Sequence, residues 1–393
     1  MRLLHLTSVY APYGIGGAER VVQTLAEAQA ADGWTVGVAH LVPKPVLHHQ
    51  LNGVDVLPLA HRNPLWIEDS GRRSGPVRKV NKIATIHNIF TATDFATLLD
   101  SFRPNILHTH SMAELTPWMW TAAQRRSIPI VHTLHDFDLM CIRTTLFKDG
   151  RACVPRHLSC MLLSGMKATC HRAIAQVVGV SRSILDIHRQ HGLFAHLSAT
   201  AQHVIWNPVS EDWSNRHVGH NRNITFGFLG RLVPEKGIDI LLDACRRLGP
   251  GAWQLRIGGL APAGDASLRA RAAGLPIRFD GYVRPSTFLS QIDVLLAPTI
   301  WSEPFGLAIV EAFAAGVPVL GSDLGGVGEI IRAVDPSWLV PPGDVVALAT
   351  RMADIIATGR VRLPALGDVA EVRRRTDVAY VRDGYRAVYE RTI

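Results

Sequence analysis

The chain has 393 residues, of which 47% are apolar and 19% charged. It is therefore long enough for two or three domains with large cores and too apolar to be intrinsically disordered. Its 5 cysteines exclude a disulfide-stapled secreted scaffold. The formal net charge is +8, and residues 1–210 carry +7 of it, with 20 Lys and Arg against 13 Asp and Glu. This basic balance indicates an anionic partner, and by itself it leaves nucleic acid, acidic lipid and a phosphorylated ligand open.

Targeting signals are not visible in the sequence. The apolar run at the N-terminus is too short for a signal peptide. The most apolar region, 294–320, is interrupted by prolines and glutamates, so it lacks the roughly 18 uninterrupted apolar residues of a membrane span. We expect a cytoplasmic protein, and the basic first half adds the option of a peripheral position on the inner face of the plasma membrane.

Short apolar strands alternate with turns and helices along nearly the whole chain. In the first half we predict strands near 2–8, 34–42, 54–59, 105–110, 129–134, 176–180 and 202–206, and helices near 17–31, 84–102, 113–127, 164–174 and 182–191. In the second half we predict strands near 223–229, 253–258, 277–281, 293–298, 317–321 and 338–340, and helices near 237–248, 265–273, 285–291, 306–315, 326–332 and 344–357. Such alternation predicts an α/β fold with parallel sheets flanked by helices.

A polar stretch, 207–222, separates the two series and is typical of a linker. We therefore predict a Rossmann-like domain over 1–208, a second one over 209–365, and a C-terminal helix over 366–393 that crosses back to the first. Because ligands of doubly wound folds lie beyond the carboxyl ends of the strands, a cleft between two facing domains is the expected site.

The strongest local signal is SEPFGLAIVE at 302–311, after an apolar strand. A helix that starts near Gly306 presents backbone N–H groups and a positive dipole end, which suit a phosphate. Glu303 precedes this helix, and Glu311 lies inside it among apolar residues. A carboxylate there can accept hydrogen bonds from two neighbouring hydroxyls of a ligand. The alternative is that Glu311 lies on a solvent-facing stripe.

A second signal, GFLGRLVPEKG at 227–237, ends the first strand of the second half. Gly230 allows close approach of a ligand, and Arg231 and Lys236 supply two cations suited to a diphosphate. These cations could replace a metal ion. The alternative is that they are surface cations paired with Glu235 or Asp239.

Two further signals lie in the first half. In YAPYGIGGAER at 10–20, Gly16 and Gly17 belong to an anion-accepting turn that fails the dinucleotide fingerprint. At 131–138, a strand ends in His135, which could donate a hydrogen bond or balance charge near a reacting carbon. The alternatives are a histidine satisfied by backbone carbonyls and, for Asp136 and Asp138, a metal-binding pair.

Four cysteines lie in one loop-rich segment, and their spacing is not a compact zinc pattern. Buried reduced thiols are the favoured interpretation, and a zinc or redox cluster is the alternative. The four are Cys141, Cys153, Cys160 and Cys170.

A short basic segment in the first half is followed by apolar residues. It contains Arg72, Arg73, Arg78, Lys79 and Lys82, and Ile83, Ile86, Ile89 and Phe90 follow. A solvated loop and helix start, docking on acidic lipid, and contact with nucleic acid are three interpretations of this segment.

Taken together, these motifs resemble the GT-B-fold retaining glycosyltransferases of family 4 (glycosyltransferases group 1), and the resemblance covers nearly the whole chain. The matching residues are Gly16, Gly17 and Glu19; Gly230, Arg231, Glu235, Lys236 and Gly237; Glu303 and Glu311; 315–319; and Gly325, Gly326, Gly328 and Glu329. A looser likeness, through His135, Asp136, Cys141, Arg143 and Cys153, is to a subgroup acting in bacterial polysaccharide assembly.

The resemblance implies a role for each matching residue. Arg231 and Lys236 would bind the donor diphosphate, Glu303 the donor sugar, and Glu311 the ribose. The backbone of Phe305, Gly306 and Leu307 would lie near sugar and phosphate, and Gly16 and Gly17 would approach the phosphate. His135 would assist near the sugar without acting as a nucleophile. No resident metal or cofactor is expected.

The implied reaction moves a sugar from a UDP- or GDP-linked donor to an acceptor hydroxyl, with retention at the anomeric carbon. The acceptor would be a glycan or lipid-linked saccharide. We assign the excess charge of the first half, with Arg143, to the acceptor or an acidic membrane surface rather than to nucleic acid. A GT-B-like UDP-sugar epimerase, an NAD-dependent oxidoreductase and a nucleic-acid-binding protein are the competing classes.

Overall fold

The computed structural model describes residues 1–13, 16–66, 75–209, 223–262, 264–359 and 369–393. The chain divides into two compact units. Unit 1 comprises Met1–Leu146, Cys153–Pro208 and Asp377–Ile393, and unit 2 comprises Phe147–Ala152 and Val209–Thr376.

The described residues form sixteen strands and fourteen α-helices. The strands are β1 (Arg2–Thr7), β2 (Thr35–Val42), β3 (His49–Leu51), β4 (Val54–Ala60), β5 (Ile106–Thr109), β6 (Ile130–Leu134), β7 (Phe147–Lys148), β8 (Arg151–Ala152), β9 (Gln176–Gly179), β10 (Gln202–Val204), β11 (Ile224–Leu229), β12 (Trp253–Gly258), β13 (Ile277–Gly281), β14 (Val294–Ala297), β15 (Val319–Ser322) and β16 (Leu339–Val340). The helices are α1 (Gly17–Ala31), α2 (Gly75–Ile86), α3 (Ile89–Phe102), α4 (Trp118–Gln124), α5 (Leu158–Cys170), α6 (Arg182–Gln190), α7 (Ile238–Leu248), α8 (Ala266–Arg271), α9 (Pro285–Leu289), α10 (Leu307–Ala314), α11 (Gly325–Val334), α12 (Val345–Thr358), α13 (Val369–Thr376) and α14 (Val378–Glu390).

Unit 1 is built on an eight-stranded sheet in the order β10-β9-β6-β5-β1-β2-β4-β3. Neighbouring strands are parallel except β3 and β4. Helix α14 packs on this sheet, where Val381, Tyr385 and Tyr389 join a buried cluster with residues of β1, β5 and β6. The central strands are nearly continuous apolar runs because both faces of a parallel sheet are covered by helices.

Unit 2 contains a six-stranded sheet in the order β13-β12-β11-β14-β15-β16, and all of its pairs are parallel. Strands β7 and β8 form a separate antiparallel hairpin. The α/β class with two parallel sheets is therefore confirmed, and the carboxyl ends of β11, β14 and β15 lie side by side.

Three of the differences between the predicted and the observed elements have a clear local reason. The helix predicted over 84–102 is two helices, because Asn88 caps α3 by accepting a hydrogen bond from the Thr91 N–H. The C-terminal segment is also two helices, since extended Asp377 caps α14 through the Tyr380 N–H. Strand β3 was not predicted, although the turn Asn52-Gly53, with φ of 48° and 81°, is a strong hairpin signal.

Within the described part of the chain, no helix is both long and apolar enough to cross a membrane.

Candidate functional site

The two strongest sequence motifs meet at the carboxyl edge of the unit 2 sheet. Lys236 follows β11 and Glu303 follows β14, and these strands are neighbours. The Lys236 Nζ forms an ion pair with the Glu303 Oε1, and the two side chains are 23% and 14% exposed. Each charge therefore neutralises the other in the ligand-free protein while solvent still reaches both.

Backbone contacts hold the two loops that carry this pair. The Glu235 carbonyl accepts hydrogen bonds from the Ile300 N–H and the Thr299 hydroxyl, both at 3.0 Å. Gly237 has a φ of 76°, and a Cβ there would lie 1.7 Å from the Pro298 oxygen. Only glycine permits this approach, so the spacing between Lys236 and Glu303 is fixed by main-chain packing.

Arg231 lies at the same edge and its side chain is exposed. It follows Gly230, which has a φ of 152° and donates its N–H to the Gly258 oxygen at 3.0 Å. A Cβ at Gly259 would lie 1.8 Å from the Gly230 oxygen. Sequence reasoning missed the support that Gly258 and Gly259 provide, although a Gly-Gly pair at a strand end is a signal for close backbone approach.

Helix α10 begins at the same edge. Its N-cap is Gly306, with φ 112° and ψ 67°, and no side chain caps the first turn. Phe305 is buried and Leu307 is half-buried. An uncapped helix start offers N–H groups and a positive dipole end to an anion.

Glu311 lies in the second turn of α10 and is 5% exposed. The alternative of a solvent-facing glutamate is therefore wrong. A buried carboxylate among apolar residues requires polar partners, and Glu311 already takes part in an interaction within the protein.

The start of α11 supports the loop that carries Glu303. The Gly326 N–H donates to the Glu303 oxygen at 2.7 Å. A Cβ at Gly325 would lie 2.8 Å from the Glu303 nitrogen and oxygen, and one at Gly326 would lie 2.6 Å from the Pro304 oxygen. These two glycines, seen in sequence only as part of a signature, thus determine where the Glu303 backbone lies.

In unit 1, Gly16 and Gly17 lie at the start of α1. A Cβ at Gly16 would lie 2.2 Å from the Glu19 Oε2, so this carboxyl group folds back over the glycine. Burial raises the pKa of Glu19 above its ordinary value. A side chain at position 16 would have to displace it.

His135 follows β6 and is half-buried. Its Nε2 lies 3.0 Å from the His110 Nδ1, and the His110 Nε2 lies 2.9 Å from the His5 Nδ1. Burial lowers the pKa of His135 to about 4, so the ring is neutral at pH 7. Of the two expected roles, hydrogen bonding fits this neutral state and charge balance does not. The sequence signal for the two supporting histidines, polar residues within apolar strands, was overlooked.

Asp136 and Asp138 have structural partners. Asp138 forms an ion pair with Lys167 at 2.8 Å, with both side chains at most 5% exposed, and Lys167 also donates to the Met112 oxygen. Burial alone would raise the pKa of Asp138, but the Lys167 ammonium holds it below its ordinary value. Asp136 accepts from the Ser111 hydroxyl at 2.6 Å, and burial together with the Asp138 charge raises its pKa well above the usual range.

Among the described residues, one group of three side chains lies close enough to hold a metal ion: His5, His108 and His110. All six ring nitrogens already have hydrogen-bond partners. The metal-binding alternative for Asp136 and Asp138 and the zinc alternative for the cysteines find no such group in the part of the chain that is described. All five cysteines are free thiols.

The basic segment divides into residues with different surroundings. Arg72 and Arg73 lie outside the described residues. Arg78 and Lys79 on α2 are exposed, as is Arg143. Lys82 instead points inward, where its Nζ lies 2.7 Å from the Glu114 Oε1 and also contacts the Ala113 oxygen. Its charge is already paired, so the assignment of Lys82 to an open basic surface is wrong.

Comparison with known proteins extends this picture. Residues 15–213 match the model for "Glycosyltransferase Family 4" and residues 223–358 match that for "Glycosyl transferases group 1". An uncharacterised 42.6 kDa protein from the cps region of Klebsiella pneumoniae is 27% identical over 99% of this chain and 100% of its own length. A phosphatidyl-myo-inositol mannosyltransferase of Mycobacterium leprae is 37% identical over 42% of this chain and 45% of that protein.

Solved structures agree on the fold. Anabaena HepE in complex with UDP has a TM-score of 0.72 at 19% identity, with both chains fully covered. A sucrose-phosphate synthase from Thermosynechococcus elongatus has a TM-score of 0.68 at 18% identity over 99% of this chain and 96% of its own. The two parallel-sheet units are those of the GT-B architecture, and with the two family matches they establish that the chain belongs to the group 1, family 4 glycosyltransferases.

Proposed function

We propose that the protein transfers a sugar from a UDP- or GDP-linked donor to a hydroxyl of a lipid-linked saccharide in bacterial polysaccharide biosynthesis, with retention of anomeric configuration and without a metal ion. The observation that carries this proposal is the Lys236–Glu303 pair beside exposed Arg231 and the uncapped start of α10. Related proteins support the substrate classes: Anabaena HepE has been solved with UDP-glucose, and a Salmonella typhimurium relative is named as a putative colanic acid biosynthesis glycosyltransferase.

Donor binding would exchange partners within this site. The diphosphate would take Lys236 and Arg231, and the sugar hydroxyls would take the carboxylate of Glu303 that Lys236 releases. Because Lys236 and Glu303 are held by backbone contacts, this exchange needs rotation of side chains rather than movement of loops. The buried Glu311 would accept hydrogen bonds from the ribose.

In the reaction, the bond from the anomeric carbon to the diphosphate oxygen breaks as the acceptor oxygen bonds to the same face. The acceptor proton passes to the departing phosphate oxygen. Negative charge that develops on the diphosphate is stabilised by Arg231, Lys236 and the N-terminal N–H groups of α10. Two fixed cations next to a helix start can supply the stabilisation that a divalent metal supplies elsewhere.

Nucleotide release with UDP- and GDP-sugars tests this function, with and without a panel of polyprenyl-linked glycans. We expect release that requires the acceptor, a product with the donor's anomeric configuration by NMR, and no loss of rate in EDTA. Epimerised free donor in the absence of acceptor would identify an epimerase instead. Strong inhibition by EDTA would overturn the metal-independent mechanism.

For the acceptor, we propose that the surface around α2 docks on an anionic bilayer. Arg78 and Lys79 are exposed together with Val80, which is 64% exposed, and Phe90 at the start of α3, which is 66% exposed. Val77, Ile83 and Ile89 of the same two helices are also exposed. Exposed basic and apolar side chains on the same helix are the combination that binds a membrane interface.

Co-sedimentation with vesicles of phosphatidylcholine and phosphatidylglycerol tests this surface. We expect binding that falls with salt and is lost when Arg78→Glu and Lys79→Glu are combined. Lys148→Glu with Arg151→Glu, a double charge reversal in the β7–β8 hairpin, is the matched control and should bind as the native chain does. Binding that ignores salt, or that the control also removes, contradicts the docking surface.

A further inference from the structure

A line of buried polar side chains runs through unit 1 from helix α1 to His135. The His5 Nε2 lies 2.8 Å from the Gln29 Oε1, and the His5 Nδ1 lies 2.9 Å from the His110 Nε2. The His110 Nδ1 lies 3.0 Å from the His135 Nε2. Gln29, His5 and His110 are at most 1% exposed, so water does not compete for these hydrogen bonds.

The far end of the line fixes its direction. The Tyr389 hydroxyl lies 2.7 Å from the His108 Nδ1, and its oxygen accepts a hydrogen bond from the Gln29 Nε2 at 3.2 Å. The amide of Gln29 is thereby oriented with its Oε1 toward His5. An amide oxygen only accepts, so the His5 Nε2 carries a proton.

Each neutral ring then passes this orientation on. Burial lowers the pKa of His5 to about 4 and that of His110 well below its ordinary value, so each ring holds one proton at pH 7. With Nε2 protonated, the His5 Nδ1 accepts from the His110 Nε2–H. The His110 Nδ1 in turn accepts a hydrogen bond from the His135 Nε2–H. The His135 Nδ1 is therefore unprotonated and has a lone pair that can accept a hydrogen bond.

We infer that Gln29, His5 and His110 are positioning residues that hold His135 in its Nε2–H tautomer, so that its Nδ1 accepts a hydrogen bond from a hydroxyl of the bound substrate. Among the described residues this nitrogen has no other partner. That the hydroxyl belongs to the donor sugar rests on the proposed function. A lone pair at this position favours a neutral sugar that presents a hydroxyl and disfavours a sugar with a carboxylate there, since two acceptors cannot pair.

The NMR spectrum of the full chain labelled with ¹⁵N-histidine, without any nucleotide sugar, tests the tautomer. We expect the His135 Nδ1 to show the chemical shift of an unprotonated ring nitrogen at pH 7, and its Nε2 that of a protonated one. A protonated Nδ1 overturns the inference. So does a stoichiometric metal ion bound to His5 and His110. Because no substrate is present, this result is independent of whether the chain transfers a sugar.

Two variants separate positioning from general packing. Gln29→Leu removes the acceptor that sets the direction, so we expect His135 to show a mixture of both tautomers and the preference for a hexose over a uronic acid donor to fall about tenfold. Gln176→Leu is the control, because the same substitution there removes a side chain whose partner is His203, outside this line. It should change neither signal. An unaltered tautomer in folded Gln29→Leu contradicts the role of Gln29, and if that variant does not fold, the native spectrum decides.

Discussion

The two units position their site residues by different means. Unit 2 uses main-chain contacts, with Gly237, Gly325 and Gly326 allowing loops to approach within distances that a Cβ would prevent. Unit 1 uses side chains, with histidines in β1 and β5 hydrogen-bonded inside the sheet. By sequence, sixteen of the 18 histidines fall within the ranges of unit 1, and the other two, His217 and His220, lie outside the described residues. Two similar folds can therefore position site residues in two ways. Main-chain packing does not depend on pH, whereas hydrogen bonds between buried histidines do.

The largest expected effect is acid unfolding confined to unit 1. Burial lowers the pKa of ten histidines, and the shift is large for seven of them. For these seven the pKa falls to about 4 in four cases, to about 3 in one, and well below the ordinary value in two; they are His5, His40, His135, His188, His132, His108 and His110. The unfolded chain therefore binds more protons below about pH 6.5, so the free energy of unfolding falls as pH drops toward 4. Each group contributes about 1.4 kcal/mol per pH unit.

Hydrogen exchange followed by mass spectrometry at pH 7 and pH 5 measures this effect for each unit. We expect protection in β1, β5 and β6 to fall at pH 5 while protection in β11 and β14 changes little. Equal loss in both sheets would show that the histidines do not distinguish the units.

The buried ion pair of unit 1 gives the next effect. Lys167→Met leaves the Asp138 charge buried without its partner, which costs about 3–5 kcal/mol of unfolding free energy. Lys167→Met combined with Asp138→Leu should recover most of that loss, because both charges are then removed. Urea unfolding of the two variants measures the difference, and a double variant as unstable as the single one would contradict this account.

In unit 2, a charge substitution should affect catalysis rather than folding. Lys236→Met should lower kcat/KM about 10²–10³-fold, because one cation for the leaving diphosphate is lost, while urea unfolding changes little. Arg246→Met is the control, since Arg246 pairs with Asp243 on the surface of α7. A similar loss of turnover in both variants would remove Lys236 from the site.

The smallest expected effects come from substituting alanine for one glycine in each unit. Gly326→Ala places a Cβ 2.6 Å from the Pro304 oxygen, and we expect a cost of about 1–3 kcal/mol together with slower transfer, since the Glu303 loop must shift. Gly165→Ala in α5 meets no atom within 4 Å and should stabilise the protein by about 0.5–1 kcal/mol. Thermal unfolding and nucleotide release measure both, and full activity in Gly326→Ala would show that the loop tolerates the shift.

Local pattern accounts for most of what was predicted correctly. Strands β11 to β16 lie within about two residues of their predicted limits because apolar runs between turns are short-range signals. The proximity of Lys236 and Glu303 could be predicted from the sequence, since each follows a strand and parallel strands share a carboxyl edge. The inward direction of the Lys82 side chain could not be predicted, because it depends on Glu114, thirty-two residues away in sequence.

The sequence by itself determined the two parallel sheets, the family and the motifs at the strand ends, because each depends on residues close together in the chain. Only the tertiary structure decided which way the ring of His135 is hydrogen-bonded. That direction depends on the register that pairs His5 with His108 and on α14, which brings Tyr389 to Gln29 across 360 residues. A hydrogen bond needs both partners within about 3 Å, and spacing in sequence does not contain that distance.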